Sequence, residues 1–265
     1  MTRHTALITG ASSGIGAELA QCFAAGGHHV ILVARSGNTL KALANRLAAA
    51  HGIQAHIMAC DLAQAGAVKD LFNKLKRRQL SVDVLVNCAG VLEHGAFVSI
   101  PPTRHQAMID LNLSALTAML AAFIPPMVQR GFGRILNVAS IAAFQPIPSL
   151  ATYAATKAYV LSLSESLAEE LAGSGVTVTA LCPGITATPM MTAAQEQSPR
   201  LALPAFVVGA ASDVAAQGFE ACTRGDAICV PGAINLATTL ASRATPKWLL
   251  RKISGALGRK SILGG

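Results

Sequence analysis

The chain has 265 residues, 52% of them hydrophobic, and a formal net charge of +8. This length fits a single α/β domain with a large core, and the 4% share of aromatic residues indicates that aliphatic side chains and alanine fill it. Six basic residues and no acid follow Asp226, so the rest of the chain is nearly neutral, which argues against a general nucleic-acid-binding protein.

Short apolar runs alternate with helical stretches along the chain. The predicted strands cover residues 5–9, 30–33, 55–59, 83–87, 134–139, 176–181 and 226–230. The predicted helices cover residues 14–26, 38–51, 64–78, 103–130, 151–172 and 212–224. Continuously apolar strands that alternate with helices predict a doubly wound α/β fold, a single domain with a parallel sheet of about seven strands and helices on both faces.

Two segments depart from this alternation. Residues 189–211 are proline-punctuated and partly apolar, which is typical of a lid over a site. Residues 243–265 form a basic amphipathic tail, so we assign one domain to residues 1–242. The uncharged window 111–128 resembles a membrane span, but Asn112 and two prolines interrupt it, and we expect a buried helix there.

The N-terminus and the cysteines indicate in which compartment of the cell the protein is expected. The residues before the first apolar strand are too few for a signal peptide, and the six cysteines form neither a CxxC pair nor a metal-ligand spacing. The histidines show no ligand spacing either. We expect reduced thiols, no bound metal and a cytoplasmic protein.

A glycine-rich loop, TGASSGIG at residues 9–16, follows the first strand and opens the first helix. Glycines there allow a tight turn and a close approach of the backbone, and the helix N-terminus offers free N–H groups to a phosphate. This context predicts a dinucleotide site. The expected contacts are Gly10, Ser12, Ser13, Gly14, Ile15 and Gly16.

The end of the second strand indicates which dinucleotide is bound. An acid there usually binds the ribose 2′-hydroxyl. Here Ala34 takes that place, and Arg35 and Ser36 follow. Because an arginine pairs with a 2′-phosphate that an acid would repel, the sequence predicts NADP(H) rather than NAD.

The stretch YAATK places Tyr153 four residues before Lys157. On one helix face the two side chains approach to about 6 Å. A unit charge at about 6 Å and an effective dielectric of about 20 is worth roughly 2.8 kcal/mol, enough to bring a phenol pKa from about 10 toward about 8. We therefore expect Tyr153 to serve as an acid or base, although desolvation opposes the shift.

Together TGxxxGxG, the NCAG of 87–90, Ser140, YxxxK and the PG of 183–184 resemble the short-chain dehydrogenase/reductase family, in order and at its spacing, from residue 5 to about 190. Cys88 replaces a small residue of that family's NAAG motif, and we expect no loss from it. The resemblance implies further cofactor contacts at Asp61, Leu62, Asn87, Ala89, Gly90, Pro183, Gly184, Ile185 and Thr188.

The same resemblance implies the chemistry, a reversible hydride transfer between an alcohol and a ketone or aldehyde. Ser140 would hydrogen-bond the substrate oxygen and Tyr153 would protonate it. Lys157 would also hold the nicotinamide ribose, and Asn112 would hold a water that links the lysine to solvent. Family members are mostly homodimers or homotetramers, often joined through the two helices that correspond here to 103–130 and 151–172.

The sequence defines the residues that contact the substrate less clearly than those that contact the cofactor. His94 either lines the site or is an ordinary loop histidine, and with Ser140, Phe144 and Met190 it completes the predicted substrate contacts. An apolar substrate is expected from the residues that flank the site, which are Phe97, Ile141, Phe144, Ile147, Met190 and Met191.

Two other functions compete with an enzyme. A dinucleotide-binding sensor or scaffold would be expected to lose part of the Ser–Tyr–Lys set, which this chain keeps. A membrane-surface protein would act through the tail, where Thr245-Pro246 predicts a helix start followed by Trp248. The apolar stripe of this tail helix would then contact lipid, or instead cover the pocket or a partner subunit; it comprises Leu249, Leu250, Ile253 and Leu257.

Overall fold

The computed structural model describes residues 3–197, 208–246, 248–252 and 255. Its centre is a seven-stranded, wholly parallel sheet with the order β3-β2-β1-β4-β5-β6-β7. The strands are β1 (Thr5–Thr9), β2 (His29–Ala34), β3 (Ala55–Ala59), β4 (Val84–Asn87), β5 (Gly133–Val138), β6 (Val176–Leu181) and β7 (Ile228–Cys229). The predicted doubly wound α/β fold is therefore confirmed.

Helices occupy the connections between the strands and continue past the last one. They are α1 (Gly14–Ala25), α2 (Gly37–His51), α3 (Ala67–Arg77), α4 (Pro102–Ile109), α5 (Leu116–Arg130), α6 (Ala151–Glu170), α7 (Pro189–Gln197), α8 (Ala211–Arg224) and α9 (Ala233–Ala244). A π-helical turn, Asp110–Ala115, joins α4 to α5 without a break. The extra residue in such a turn shifts the helix register at one point.

The direction of winding changes between β1 and β4. From β1 the chain adds β2 and β3 on one side, and it then returns to place β4 on the other side of β1. In an open parallel sheet this switch leaves a crevice outside the carboxyl ends of the two strands. The predicted site residues follow these strand ends.

The core lies in two layers, one on each face of the sheet. Leu7 and Ile31 belong to one layer, and their neighbours Ile8 and Leu32 belong to the other. Successive strand residues point to opposite faces, and both faces are covered, so the central parts of most strands are continuously apolar. This burial explains why the sequence showed continuous rather than alternating apolar runs.

The helical stretch Pro102–Arg130 is, within the described part of the chain, the one helix long and apolar enough to cross a membrane. It packs against the sheet, however, and Met119, Phe123 and Met127 are at most 3% exposed in that contact. The stretch is thus a core helix of the α/β fold, as the sequence predicted for residues 111–128.

The lid (residues 189–211) and the tail (residues 243–265) do not continue the alternation of strands and helices. The first part of the lid folds as α7, and residues 198–207 lie outside the described residues. Gly209 N, near the end of the lid, donates to Ile185 O at 2.9 Å. The end of the lid is therefore joined to the segment just before its start. The sequence did not predict α9.

The start of the tail adjoins a helix that the sequence did not indicate. Thr245, the predicted cap of a tail helix, is the residue at which α9 ends, and its hydroxyl donates to Ala241 O at 2.7 Å. Helical structure does resume after Pro246, at residues 248–252. Ile253 and Leu257, two residues of the predicted stripe, lie outside the described residues.

Candidate active site

The glycine loop lies at the switch point, against the NCAG segment. Gly10 has a φ of +67°, and a Cβ there would lie 3.0 Å from the Ala89 backbone. Thr9 joins the two segments, because its Oγ1 accepts from Cys88 N at 2.9 Å and Ala89 N at 3.0 Å and donates to Val86 O. This role of Thr9 was not predicted from the sequence, although the residue opens the TGxxxGxG motif.

The N-terminus of α1 fits a phosphate group. Ser13 occupies the N-cap position but makes no side-chain capping hydrogen bond, so the first N–H groups of the helix keep their capacity to donate. A Cβ on Gly16 would lie 2.8 Å from the carbonyl carbon of Gly10 and would overlap its oxygen. Only glycine therefore allows α1 to begin this close to the loop.

The end of β2 adjoins the glycine loop, since Ala11 N donates to Val33 O at 3.3 Å. Ala34 is 9% exposed, whereas Arg35 after it is exposed to solvent. The hydroxyl of Ser36 accepts from Thr39 N and so caps α2. A cation at this position, with no acid beside it in sequence, suits the 2′-phosphate of NADP.

The neighbouring strand ends supply further predicted contacts. The Asp61 carboxylate accepts from Ala63 N at 3.2 Å, and Leu62 is buried beside it. Thr188 lies over the glycine loop, where a Cβ on Gly14 would come within 3.1 Å of its methyl group, and its hydroxyl accepts from Met191 N. Thr188 thus holds the first turn of α7 against the glycine loop.

The predicted catalytic side chains converge where β5 and α6 meet. Lys157 is buried, and its Nζ donates to Val138 O at 2.8 Å. The same Nζ lies 5.7 Å from the centre of the Tyr153 ring and 3.7 Å from where a Cβ on Gly90 would be. Ser140 lies close enough to Tyr153 to lower the pKa of the phenol, so the serine and tyrosine side chains are grouped beside the lysine.

Backbone contacts fix the position of Ser140. Its Oγ accepts from Ala142 N at 3.1 Å at the start of the 3-10 turn Ile141–Phe144. Ile141 N donates to Pro183 O at 2.9 Å, which joins this turn to the PG motif that follows β6. The loops after β5 and β6 therefore act as one unit around the serine.

The acid–base properties of the pair differ from the expectation. Burial raises the pKa of the Tyr153 phenol to about 12, although the hydrogen bond from Ser140 lowers it in part. Burial also lowers the pKa of Lys157 to about 8. The pKa of the phenol in the protein alone is thus raised rather than shifted toward 8, because burial, the largest cause, disfavours the phenolate.

Asn112 lies in the π-helical turn, and its side chain is fully used by the protein. Its Oδ1 accepts from Val91 N at 2.9 Å, and its Nδ2 donates to Val91 O at 3.0 Å and to Thr156 Oγ1 at 3.2 Å. The amide thus ties the segment after β4 to α6, beside Lys157.

Asn87 has a structural side chain as well. Its Nδ2 donates to Asn137 Oδ1 at 2.9 Å, and Asn137 in turn donates to Ser164 Oγ at 2.9 Å. All three residues are buried, so this chain of hydrogen bonds connects β4, β5 and α6. One N–H of the Asn87 amide is therefore used within the protein, and sequence patterns gave no sign of Asn137 or Ser164.

The predicted substrate residues differ in their burial and in their contacts. His94 Nε2 hydrogen-bonds Ser149 Oγ at 3.0 Å, and burial lowers the pKa of the imidazole. Phe144 is half-buried and Met190 is 39% exposed at the start of α7. Phe97 is 61% exposed and stacks on His105 at a centroid distance of 4.4 Å, which places its ring at the surface.

The chain is similar to a known protein family, to individual relatives and to solved structures. The family model for short chain dehydrogenases matches residues 4–199. The chain belongs to the short-chain dehydrogenase family. As a short-chain dehydrogenase it is an oxidoreductase that acts between CH–OH and C=O groups, and its family binds nicotinamide dinucleotides.

Individual relatives of this short-chain dehydrogenase agree in sequence and in structure. The oxidoreductase UcpA of Escherichia coli strain K12 is 35% identical over 199 residues, which are 75% of each chain. A short-chain dehydrogenase from Sphingobium yanoikuyae in complex with NADPH has a TM-score of 0.80 at 33% identity, covering 92% of this chain and 97% of the other. A bulky-bulky ketone specific alcohol dehydrogenase from Comamonas testosteroni has a TM-score of 0.78 at 31% identity, covering 92% and 93%.

Proposed function

We propose that the protein is an NADP(H)-dependent dehydrogenase/reductase that interconverts a ketone or aldehyde and its alcohol. The observation that supports this most directly is the grouping of Ser140, Tyr153 and Lys157, where the serine lowers the pKa of the tyrosine and the lysine Nζ lies 5.7 Å from the centre of its ring. A sensor without catalysis has no use for this complete set, so the catalytic hypothesis is favoured.

The three side chains have distinct proposed roles. A bound nicotinamide cofactor supplies or accepts the hydride. Ser140 donates a hydrogen bond that orients the substrate carbonyl oxygen, and Tyr153 delivers a proton to that oxygen. Because the pKa of Tyr153 is raised to about 12, the phenol carries its proton at neutral pH, as reduction of a carbonyl requires. Lys157 holds the nicotinamide ribose and faces the tyrosine ring.

NADP(H) is the proposed cofactor because of the charge at the end of β2. Arg35 is exposed there and Ala34 offers no carboxylate to repel a 2′-phosphate. Structures of relatives agree with this choice, since the dehydrogenase from Sphingobium yanoikuyae was solved with NADPH. The phosphate would meet a partly solvated arginine, so a moderate rather than an absolute preference follows.

The substrate, assembly and location complete the proposal. An apolar substrate is supported by Ile141, Phe144 and Met190 near the catalytic serine, and the Comamonas testosteroni relative is described as specific for bulky ketones. A homodimer or homotetramer is supported by exposed apolar side chains on α5 and α6, such as Val128 at 39%. Six free cysteines support the cytoplasm as its location.

A substrate panel tests this function. Purified protein is mixed with NADPH or NADH and with ketones and aldehydes of increasing apolar size, and the loss of reduced-nicotinamide absorbance is followed. We expect turnover with NADPH that increases with the apolar size of the ketone. Tight NADPH binding without turnover of any carbonyl compound would instead support the sensor, and the absence of NADPH binding would contradict both.

A further inference from the structure

Helix α9 exposes the side that a surface helix normally buries. Ile234, Leu236 and Leu240 are 65%, 45% and 57% exposed, and Ala237, Ala241 and Ala244 beside them are exposed too. A helix on the surface of a globular protein usually turns its apolar stripe to the core and its polar side to water. The arrangement in α9 is the opposite.

The polar side of α9 faces the protein and is held there. Asn235 Nδ2 donates to Pro231 O at 2.7 Å, and its amide contacts the position of a Cβ on Gly184. Ser242 Oγ donates to Gln145 Oε1 at 3.5 Å, and Thr239 between them is 5% exposed. These three residues follow each other at helical spacing. The outward direction of the apolar side is therefore set by the inner contacts of the helix.

The segment after α9 continues the same surface. Trp248 is 57% exposed, and Lys252 Nζ lies 5.4 Å from the centre of its ring. Arg251 is exposed beside them. A tryptophan next to basic side chains combines an apolar ring with positive charge, a pairing suited to the boundary between lipid and water.

The charge of this region indicates what covers the surface. After Asp226 the sequence contains six basic residues and no acid. A second copy docked here about a twofold axis would bring two such acid-free tails together, and their like charges would oppose the contact. An anionic surface neutralises them instead, and a lipid surface also accepts the apolar side of α9.

We propose that the outer face of α9 and the segment 248–252 form a docking surface for anionic membranes, on which the protein lies without spanning the bilayer. Ile234, Leu236, Leu240 and Trp248 enter the boundary between headgroups and acyl chains, and Arg251 and Lys252 contact anionic headgroups. This inference does not depend on the proposed enzymatic function, because it involves none of the catalytic residues.

Vesicle co-sedimentation of the full-length protein tests it. Vesicles of phosphatidylcholine mixed with phosphatidylglycerol are compared with vesicles of phosphatidylcholine alone. We expect binding to the anionic vesicles that falls as salt is added, and little binding to the zwitterionic ones. Leu240→Ser should weaken binding by about tenfold, because one buried leucine is lost from the contact.

Matched controls separate this surface from general effects. Val98→Ser removes an apolar side chain that is 92% exposed elsewhere, and it should leave vesicle binding unchanged. Lys252→Glu should reduce binding, whereas Lys69→Glu on α3, after the opposite edge strand, should not, although both change the net charge equally. Circular dichroism confirms that each variant is folded.

Three outcomes would overturn the proposal. One is a full-length protein that stays in solution with anionic vesicles at low salt. Another is equal binding to both kinds of vesicle. The third is a Leu240→Ser variant that binds vesicles normally but changes its oligomeric state in size-exclusion chromatography, because the face would then be a subunit contact.

Discussion

Replacing Gly16 with alanine tests whether the loop after β1 binds the dinucleotide. The added Cβ would lie 2.8 Å from the carbonyl carbon of Gly10 and closer to its oxygen, whereas carbon atoms in contact keep about 3.5 Å apart. Both obstructing atoms are backbone, so α1 and the loop must separate by roughly 1 Å, at a cost of about 1–3 kcal/mol if the bound state requires them closed. NADPH affinity should then fall by about fivefold to 150-fold.

The assay is titration of NADPH followed by its fluorescence, with thermal unfolding measured in parallel. Gly52→Ala is the matched control, since Gly52 has a φ of +60° and no atom within 4 Å of an added Cβ. That variant should lose about 1 kcal/mol of stability from backbone strain and keep its NADPH affinity. If Gly16→Ala binds NADPH within about twofold of the parent protein, the loop does not hold the dinucleotide as we describe.

The other predictions concern the cofactor phosphate, the proton and the lysine. Ala34→Asp with Arg35→Ala should reverse a preference for NADPH over NADH, with a loss of NADPH affinity of about tenfold or more; equal affinity of the parent protein for both cofactors would remove the basis for this assignment. Because burial raises the pKa of Tyr153 to about 12, the rate of carbonyl reduction should be nearly independent of pH around neutrality. The rate of alcohol oxidation should instead increase about tenfold per pH unit. An oxidation rate that does not change with pH would contradict this. Lys157→Ala should weaken both turnover and NADPH affinity, and an unchanged affinity would exclude its contact with the ribose.

The sequence predicted the sheet because its strands are buried on both faces. Runs such as VILV in β2 and VLV in β4 have no polar alternation, and a helix cap or a glycine segment follows them. The closeness of Tyr153 and Lys157 could also be predicted, since the two residues share one helix face. The spacing even gave their separation correctly, as the lysine Nζ lies 5.7 Å from the tyrosine ring.

Other features depend on contacts between residues far apart in the chain. The link from Asn87 through Asn137 to Ser164 exists because β4, β5 and α6 are neighbours in space. The pKa of Tyr153 depends on how much of the phenol is buried, which helical spacing does not give. Helix α9 was missed because its polar residues face inward, so its apolar pattern did not indicate a helix packed on the core.

The most direct test of the central claim compares the two tyrosines of the chain. Tyr153→Phe removes the hydroxyl beside Ser140, whereas Tyr159→Phe removes one that is bonded to Thr117 at the surface. With a ketone accepted by the parent protein, NADPH oxidation should be lost in Tyr153→Phe and kept in Tyr159→Phe, while both variants bind NADPH normally. A Tyr153→Phe variant that retains more than about a tenth of the parent rate would contradict proton transfer by this residue.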